Sequence, residues 1–216
     1  MSCRIYEDRR DAGRSLVLEV QRCMLQAPIV LGLPRGGIPV AYEIASAIDA
    51  PLDVLVVRKL GAPWQPELAL GAIASGGVRI LNEQLVAQVL GDDDAVIEDL
   101  VARETEELLR RDKLYRGDRP YPDLRDKEVV VVDDGMATGA TMRAAAEAVG
   151  SRNPAKVVVA VPTGSADAVR LVENTVDQVI CLDIPTPFYA VGNFYRNFGQ
   201  TTDEEVRSLL HEAWGA

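Results

Sequence analysis

Four consecutive valines, Val129–Val132, run directly into Asp133 and Asp134 and then into the small-residue stretch Gly135-Met136-Ala137-Thr138-Gly139-Ala140-Thr141. A strand apolar on both faces belongs inside a sheet that is covered on both sides, which in practice means a parallel sheet flanked by helices. The stretch after it predicts a tight turn opening a helix near Ala140. The rest of the chain repeats that alternation, so the fold class is α/β with a central, mostly parallel twisted sheet. Helical spacing of Leu16, Val17, Val20, Met24 and Leu25 predicts a helix over 8–25, followed by a strand after Pro28. A break at 34–37 precedes a helix lasting to about Ile48, marked by Val40, Ile44 and Ala47, and a second strand is expected over 52–57. Helices are expected over 82–90, 94–114, 140–150 and 165–173, and strands over 128–132, 156–161 and 178–183. Thr202-Asp203-Glu204-Glu205 reads as the acid-capped start of a terminal helix. Glycines 61, 71, 76 and 77 predict a mobile loop with short antiparallel strands over 60–81, and Pro120 and Pro122 predict an exposed connection over 115–127.

Composition narrows the function classes. With 216 residues, 48% apolar, the chain is sized for one domain with a small appendage. A formal charge of −10 argues against general binding to a nucleic-acid backbone. No apolar run approaches the roughly 20 residues of a membrane helix, and the acids Glu7 and Asp8 interrupt any signal-peptide core. Cys3, Cys23 and Cys181 are odd in number and lack a paired spacing, so neither a disulfide framework nor a zinc site is expected. Together these features predict a soluble, cytoplasmic protein. The single histidine, His211, excludes a histidine-based triad or metal site.

The chemistry concentrates after Val132. Backbone N–H groups of the 137–141 turn, with a helix N-terminus behind them, favour a phosphate, and the Thr138 and Thr141 hydroxyls add donors. Ionised Asp133 and Asp134 accept hydrogen bonds from neighbouring hydroxyls of a sugar whose phosphate occupies that turn. The combination suits a phosphorylated ribose. Paired acids after a strand also occur in nucleotide-hydrolysing P-loop proteins, but no GxxxxGK[ST] stretch exists in this chain.

Residues 129–141 resemble the 5-phosphoribosyl 1-diphosphate signature of type I phosphoribosyltransferases. The resemblance implies that Ala137, Thr138, Gly139, Ala140 and Thr141 bind the 5′-phosphate and that Asp133 and Asp134 bind the ribose. Leu33-Pro34-Arg35-Gly36-Gly37 is similar to the family's pyrophosphate loop, so Pro34, Arg35, Gly36 and Gly37 would hold the diphosphate, with an unusual cis peptide often found there. Val57-Arg58-Lys59 stands where the family's flexible catalytic loop begins, which makes Arg58 and Lys59, with Arg35, candidates for neutralising the leaving group. The aromatic segment 185–195 stands where the family carries a hood over the acceptor, implicating Phe188, Tyr189, Phe194 and Tyr195. Ala137 replaces the aspartate common in hypoxanthine-guanine transferases, a version closer to adenine and uracil transferases.

On this resemblance the chain is one domain, 1–216, with 60–127 a flexible loop plus helical insertion and 184–216 a hood and tail. The implied reaction transfers 5-phosphoribose to a nitrogen heterocycle with release of pyrophosphate. Mg²⁺ would bridge diphosphate and sugar, with Asp133 and Asp134 reaching it indirectly, and a homodimer is the usual assembly. An alternative is a regulator that senses 5-phosphoribosyl 1-diphosphate and binds nucleic acid or protein through Arg110, Arg111, Lys113, Arg116 and Arg119. A third is a hydrolase of phosphoribosyl compounds.

Overall fold

The computed structural model describes residues 4–23, 26–91 and 94–215. In chain order the strands are β1 (Pro28–Gly32), β2 (Leu52–Val54), β3 (Val57–Ala62), β4 (Gln65–Ala74), β5 (Val78–Leu81), β6 (Glu128–Val132), β7 (Lys156–Thr163) and β8 (Gln178–Asp183). The helices are α1 (Arg9–Arg22), α2 (Gly37–Ala47), α3 (Glu83–Leu90), α4 (Asp94–Arg116), α5 (Ala140–Gly150), α6 (Ala166–Glu173) and α7 (Asp203–Trp214). Five strands form one parallel sheet in the order β2-β1-β6-β7-β8, and β3-β4-β5 form a separate antiparallel sheet.

The valine run explains the layering. Successive side chains of a strand point to opposite faces, so Val130 and Val132 enter a core shared with α1, α2 and α7. Val129 and Val131 enter a second core with α5 and α6. All four valines are buried, as a central parallel strand requires. The register then sets the level of the loops, because Gly32 pairs with Val132. Residues 33–37 and 133–137 therefore leave neighbouring strands at the same edge, tied by the Leu33 N–H donating to the Val132 carbonyl at 2.9 Å. Helix starts follow the capping residues. Asp8, Ser165 and Thr202 each accept from a backbone N–H three residues on, opening α1, α6 and α7.

The structure refines three expectations. The stretch 52–57 is divided: Leu52–Val54 pairs with β1, while Val57 already belongs to the antiparallel sheet. The 60–81 region forms the expected antiparallel strands, but in one sheet whose middle strand is long, spanning Gln65–Ala74. The 115–127 connection is exposed over most of its length, as expected, but Tyr115, Arg116 and Leu124 are buried. The reason is a buried ion pair: Arg116 Nη1 donates to Asp53 Oδ2 at 3.0 Å and Nη2 to the Val54 carbonyl at 2.7 Å, over the Tyr121 ring. The helical positions Met24 and Leu25, and Cys3, lie outside the described residues.

Candidate functional site

The two loops meet because glycine leaves room. A β-carbon on Gly37 would stand 2.6 Å from the Val132 carbonyl oxygen and 2.9 Å from the Asp133 Cα. One on Gly36 would stand 2.7 Å from the Asp134 carboxyl carbon. The Pro34–Arg35 peptide is cis. Arg35 extends toward α7, with Nη1 3.7 Å from Asp203 Oδ1. Asp203 also accepts from the Tyr115 hydroxyl at 2.6 Å; burial, then Asp203, push that phenol up to about 12.

Asp133 and Asp134 are part-buried at the end of β6. The Asp134 N–H donates to Asp133 Oδ1 at 2.8 Å. Burial, then the Asp134 charge, hold Asp133 well above the usual carboxylate range; burial also raises Asp134, opposed by Arg9. Arg9 Nε donates to Asp134 Oδ2 at 2.8 Å, and its Nη1 donates to the Gly199 carbonyl at 2.6 Å. Its guanidinium lies 4.0 Å from the centre of the Phe198 ring. The Tyr195 hydroxyl donates to the Asp134 carbonyl at 2.6 Å. Sequence reasoning missed Arg9. The available signal was Arg9-Arg10 directly after the Asp8 cap, where cations oppose the helix dipole.

The 137–141 turn is braced from behind and open in front. Gly139 adopts φ +75°, and a β-carbon there would stand 3.0 Å from the Ala168 carbonyl, so this position calls for glycine. Met136 N–H donates to Thr163 O at 3.0 Å, Ser165 N–H to Met136 O at 2.9 Å, and Ser165 Oγ to Ala137 O at 2.8 Å. Ala137, Thr138, Ala140 and Thr141 are exposed. Thr138 Oγ1 accepts from the Ala140 N–H at 3.4 Å, and the remaining N–H groups at the start of α5 lie beside exposed residues, as helix N-termini that attract anions do.

Arg58 and Lys59 diverge, as neighbours on a strand must. Arg58 Nε donates to Glu104 Oε2 on α4 at 2.8 Å. Lys59, with Thr141 and Arg143, lines a groove of about 560 Å³ between the antiparallel sheet and α5. The structure thus brings Lys59 to α5, the helix that follows the 137–141 turn, and holds Arg58 against α4.

The hood aromatics also separate. Phe194 and Tyr195 are buried with Tyr6 and Ala12. Phe188 stacks on Phe194 at 5.4 Å and Tyr195 on Phe198 at 4.9 Å, while Tyr189 is 79% exposed. Phe194 and Tyr195 therefore support this wall and Tyr189 offers an open face. Tyr6 fastens the arrangement by donating to Asp183 Oδ2 at 3.2 Å.

The basic residues of the regulator alternative are all engaged. Arg110 and Arg111 pair with Glu107, Lys113 with Asp118, and Arg116 with Asp53, while Arg119 lies over the Trp214 ring. His211 is exposed on α7 beside Trp214. No helix among the described residues is long and apolar enough to cross a membrane.

Comparison with known proteins bears on the family and the fold. The family model for the phosphoribosyl transferase domain matches residues 21–195. The Mycobacterium tuberculosis H37Rv protein named "Putative phosphoribosyl transferase Rv0571c" is 47% identical over 210 residues, 97% of this chain and 47% of that protein. The chain thus spans about half the length of the curated relatives it matches. TT1426 from Thermus thermophilus superposes with a TM-score of 0.88 at 43% identity, covering 96% of this chain and 98% of that one. The AQ2163 protein from Aquifex aeolicus, at 13% identity and a TM-score of 0.50 over 82% of this chain and 74% of its own, shares the fold alone.

Proposed function

Because the chain belongs to the phosphoribosyl transferase domain family, we propose that it transfers 5-phosphoribose from 5-phosphoribosyl 1-diphosphate to a nitrogen heterocycle of the nucleobase type, releasing pyrophosphate. One observation carries the reading. The acids Asp133 and Asp134, the turn at 137–141 and the Gly36-Gly37 loop leave neighbouring strands at one edge of the sheet, with Gly36 and Gly37 packed against the two acids.

In this reading the turn from Ala137 to Thr141 binds the 5′-phosphate. Asp133 and Asp134 accept from the ribose hydroxyls and favour the cationic ring that develops as the C1–O bond breaks. The loop amides at Pro34–Gly37 and the Arg35 guanidinium hold the diphosphate as it departs, and the acceptor nitrogen forms the new bond to C1 as its proton leaves. Lys59 lines the groove beside Thr141 and adds positive charge there; Arg58 joins it only by leaving Glu104. Tyr189 is the surface for the heterocycle, beside the Phe188–Phe194 stack and Tyr195. Ala137 brings no carboxylate to the acceptor, which favours bases other than hypoxanthine and guanine.

Magnesium fits this donor set. It prefers hard oxygen ligands, few of them from protein and the rest from phosphate and water. Among the described residues no group of three or more His, Cys, Asp or Glu side chains is arranged to cage a metal. Asp133 and Asp134 are the carboxylates that would reach an ion carried by the diphosphate, through the sugar hydroxyls or water. When bound, it would neutralise charge on the leaving group.

The test is pyrophosphate release with magnesium, 5-phosphoribosyl 1-diphosphate and a panel of purines, pyrimidines and related heterocycles. Release above the acceptor-free rate with at least one base is expected. An acceptor-free rate as high as every other would favour a hydrolase, and no release at all would refute the transfer reading.

A further inference from the structure

We propose that Arg9 is a positioning residue of the sugar site: it fixes the Asp134 carboxylate through Oδ2 and fastens that carboxylate to the segment 195–199. The inference rests on the reading of Asp133 and Asp134 as pentose ligands.

Three observations carry it. The Arg9 side chain is only 12% exposed, and its donors have defined partners: Nε on Asp134 Oδ2 and Nη1 on the Gly199 carbonyl. Its flat face rests on Phe198, which itself stacks on Tyr195, whose hydroxyl donates to the Asp134 backbone. Asp134 is thereby held at both side chain and main chain by groups far away in sequence. Finally, Arg9 Nε lies 3.1 Å from the position a β-carbon on Gly36 would take. The space that Gly36 leaves empty is the space the Arg9–Asp134 pair occupies, so one contact spans α1, the diphosphate loop and the sugar acids.

The chemistry explains why a cation is needed. Two carboxylates on successive residues repel, and removing them from water makes the repulsion stronger. Without a fixed counter-charge Asp134 would turn toward solvent, away from a ligand. A planar guanidinium binds one carboxylate oxygen directionally while its other donors anchor elsewhere, which a lysine ammonium does less well. A helix tie alone would be met by Gly199 and Phe198 and would not require the Nε bond to Asp134.

Calorimetric titration with ribose 5-phosphate and, separately, with orthophosphate tests this in the full chain. Both ligands fit the 137–141 turn, but only the sugar reaches Asp134. Arg9→Met is expected to weaken ribose 5-phosphate about ten-fold, as for a lost charge-assisted contact, and to leave orthophosphate within about two-fold. Arg9→Lys should recover part of the loss. In an Asp134→Asn background Arg9→Met should change sugar affinity by less than about two-fold, because the partner is already gone. Equal weakening of both ligands, or full additivity in the double variant, would overturn the inference in favour of a merely structural arginine. Should Arg9→Met lose the fold by circular dichroism, Arg9→Lys carries the same two-ligand comparison. Wild-type protein that binds orthophosphate but not ribose 5-phosphate would overturn the pentose reading itself, and the inference with it. Sugar binding that Arg9→Met leaves unchanged would overturn the inference alone.

Discussion

A β-carbon on Gly36 would stand 2.7 Å from the carboxyl carbon of Asp134, so the 33–37 loop and the acid at the end of β6 share one packed contact. Gly36 sits at φ −62° and ψ −30°, a conformation open to any residue. Its requirement is therefore space and not backbone freedom. Gly36→Ala should displace Asp134 at a cost of about 1–3 kcal/mol, typical of an added methyl in a packed site. Affinity for 5-phosphoribosyl 1-diphosphate should drop about ten-fold or more, while the thermal midpoint falls by only about a few degrees. Calorimetry and a melting curve read the two effects separately, and unchanged affinity would contradict the shared contact.

The acids at the end of β6 set stability against binding. Burial and the neighbouring charge raise Asp133, and burial raises Asp134. A carboxyl raised by folding binds its proton more tightly in the folded chain. Stability is then greatest at low pH and declines as pH climbs from the ordinary carboxylate range through the raised value. Asp133→Asn removes that titration. Its unfolding free energy in urea should exceed that of wild type at neutral pH, with the gap closing below about pH 4. Binding of 5-phosphoribosyl 1-diphosphate should weaken by at least about 1.5 kcal/mol as charge-assisted hydrogen bonds are lost. A variant less stable than wild type at neutral pH would contradict the electrostatic account.

The sequence carried the layers and the turn into the helix at Ala140 but few long-range partners, and the reason is physical. Val129–Val132 has both faces apolar, which specifies a central strand wherever it lies. The small residues before Ala140 specify a tight turn into a helix. Such signals are local. Arg9 and Asp134 are 125 positions apart, and nothing around either one names the other. The same holds for Asp53 and Arg116, whose pairing buries the end of α4 beside a connection that is otherwise mostly exposed. The aromatics at 194–195 carry equal promise for stacking a heterocycle or filling a core, and only packing on Tyr6 distinguishes the two. The division of 52–57 was hidden because Leu52–Val57 is apolar throughout except for Asp53, and the change of sheet falls inside an uninterrupted run.

Arg35 already has an anionic neighbour, Asp203, at 3.7 Å, which a bound diphosphate would have to replace. Both side chains are about a third exposed, so the pair is worth at most about 1 kcal/mol. Asp203→Asn keeps an acceptor for the Tyr115 hydroxyl and removes the charge. It should tighten pyrophosphate binding by up to about five-fold at low ionic strength, with the gain shrinking as salt is added. Titration at two salt concentrations reads this. Weaker binding in the variant would mean that Asp203 orients Arg35 for the anion instead of competing with it.

The pair between Asp53 and Arg116 fastens the antiparallel sheet and α4 to the edge of the parallel sheet, and both side chains are 5% exposed. Burial raises Asp53 while Arg116 opposes it, so each group depends on the other. Arg116→Met would leave a buried carboxylate without a counter-charge and the Val54 carbonyl without its donor. Breaking a buried pair from one side commonly costs about 3–5 kcal/mol, and replacing both partners costs much less. Arg116→Met should therefore lose about that much in urea unfolding, with Asp53→Asn in the same chain recovering part of it. Hydrogen exchange should locate the damage. Amides of β3 and β4 should lose protection first, because the antiparallel sheet contributes no strand to the β2-β1-β6-β7-β8 ladder, while those of β6, central in that ladder, stay protected. Equal loss of protection in β6 would show that the pair supports the whole domain and not the attachment of its appendage.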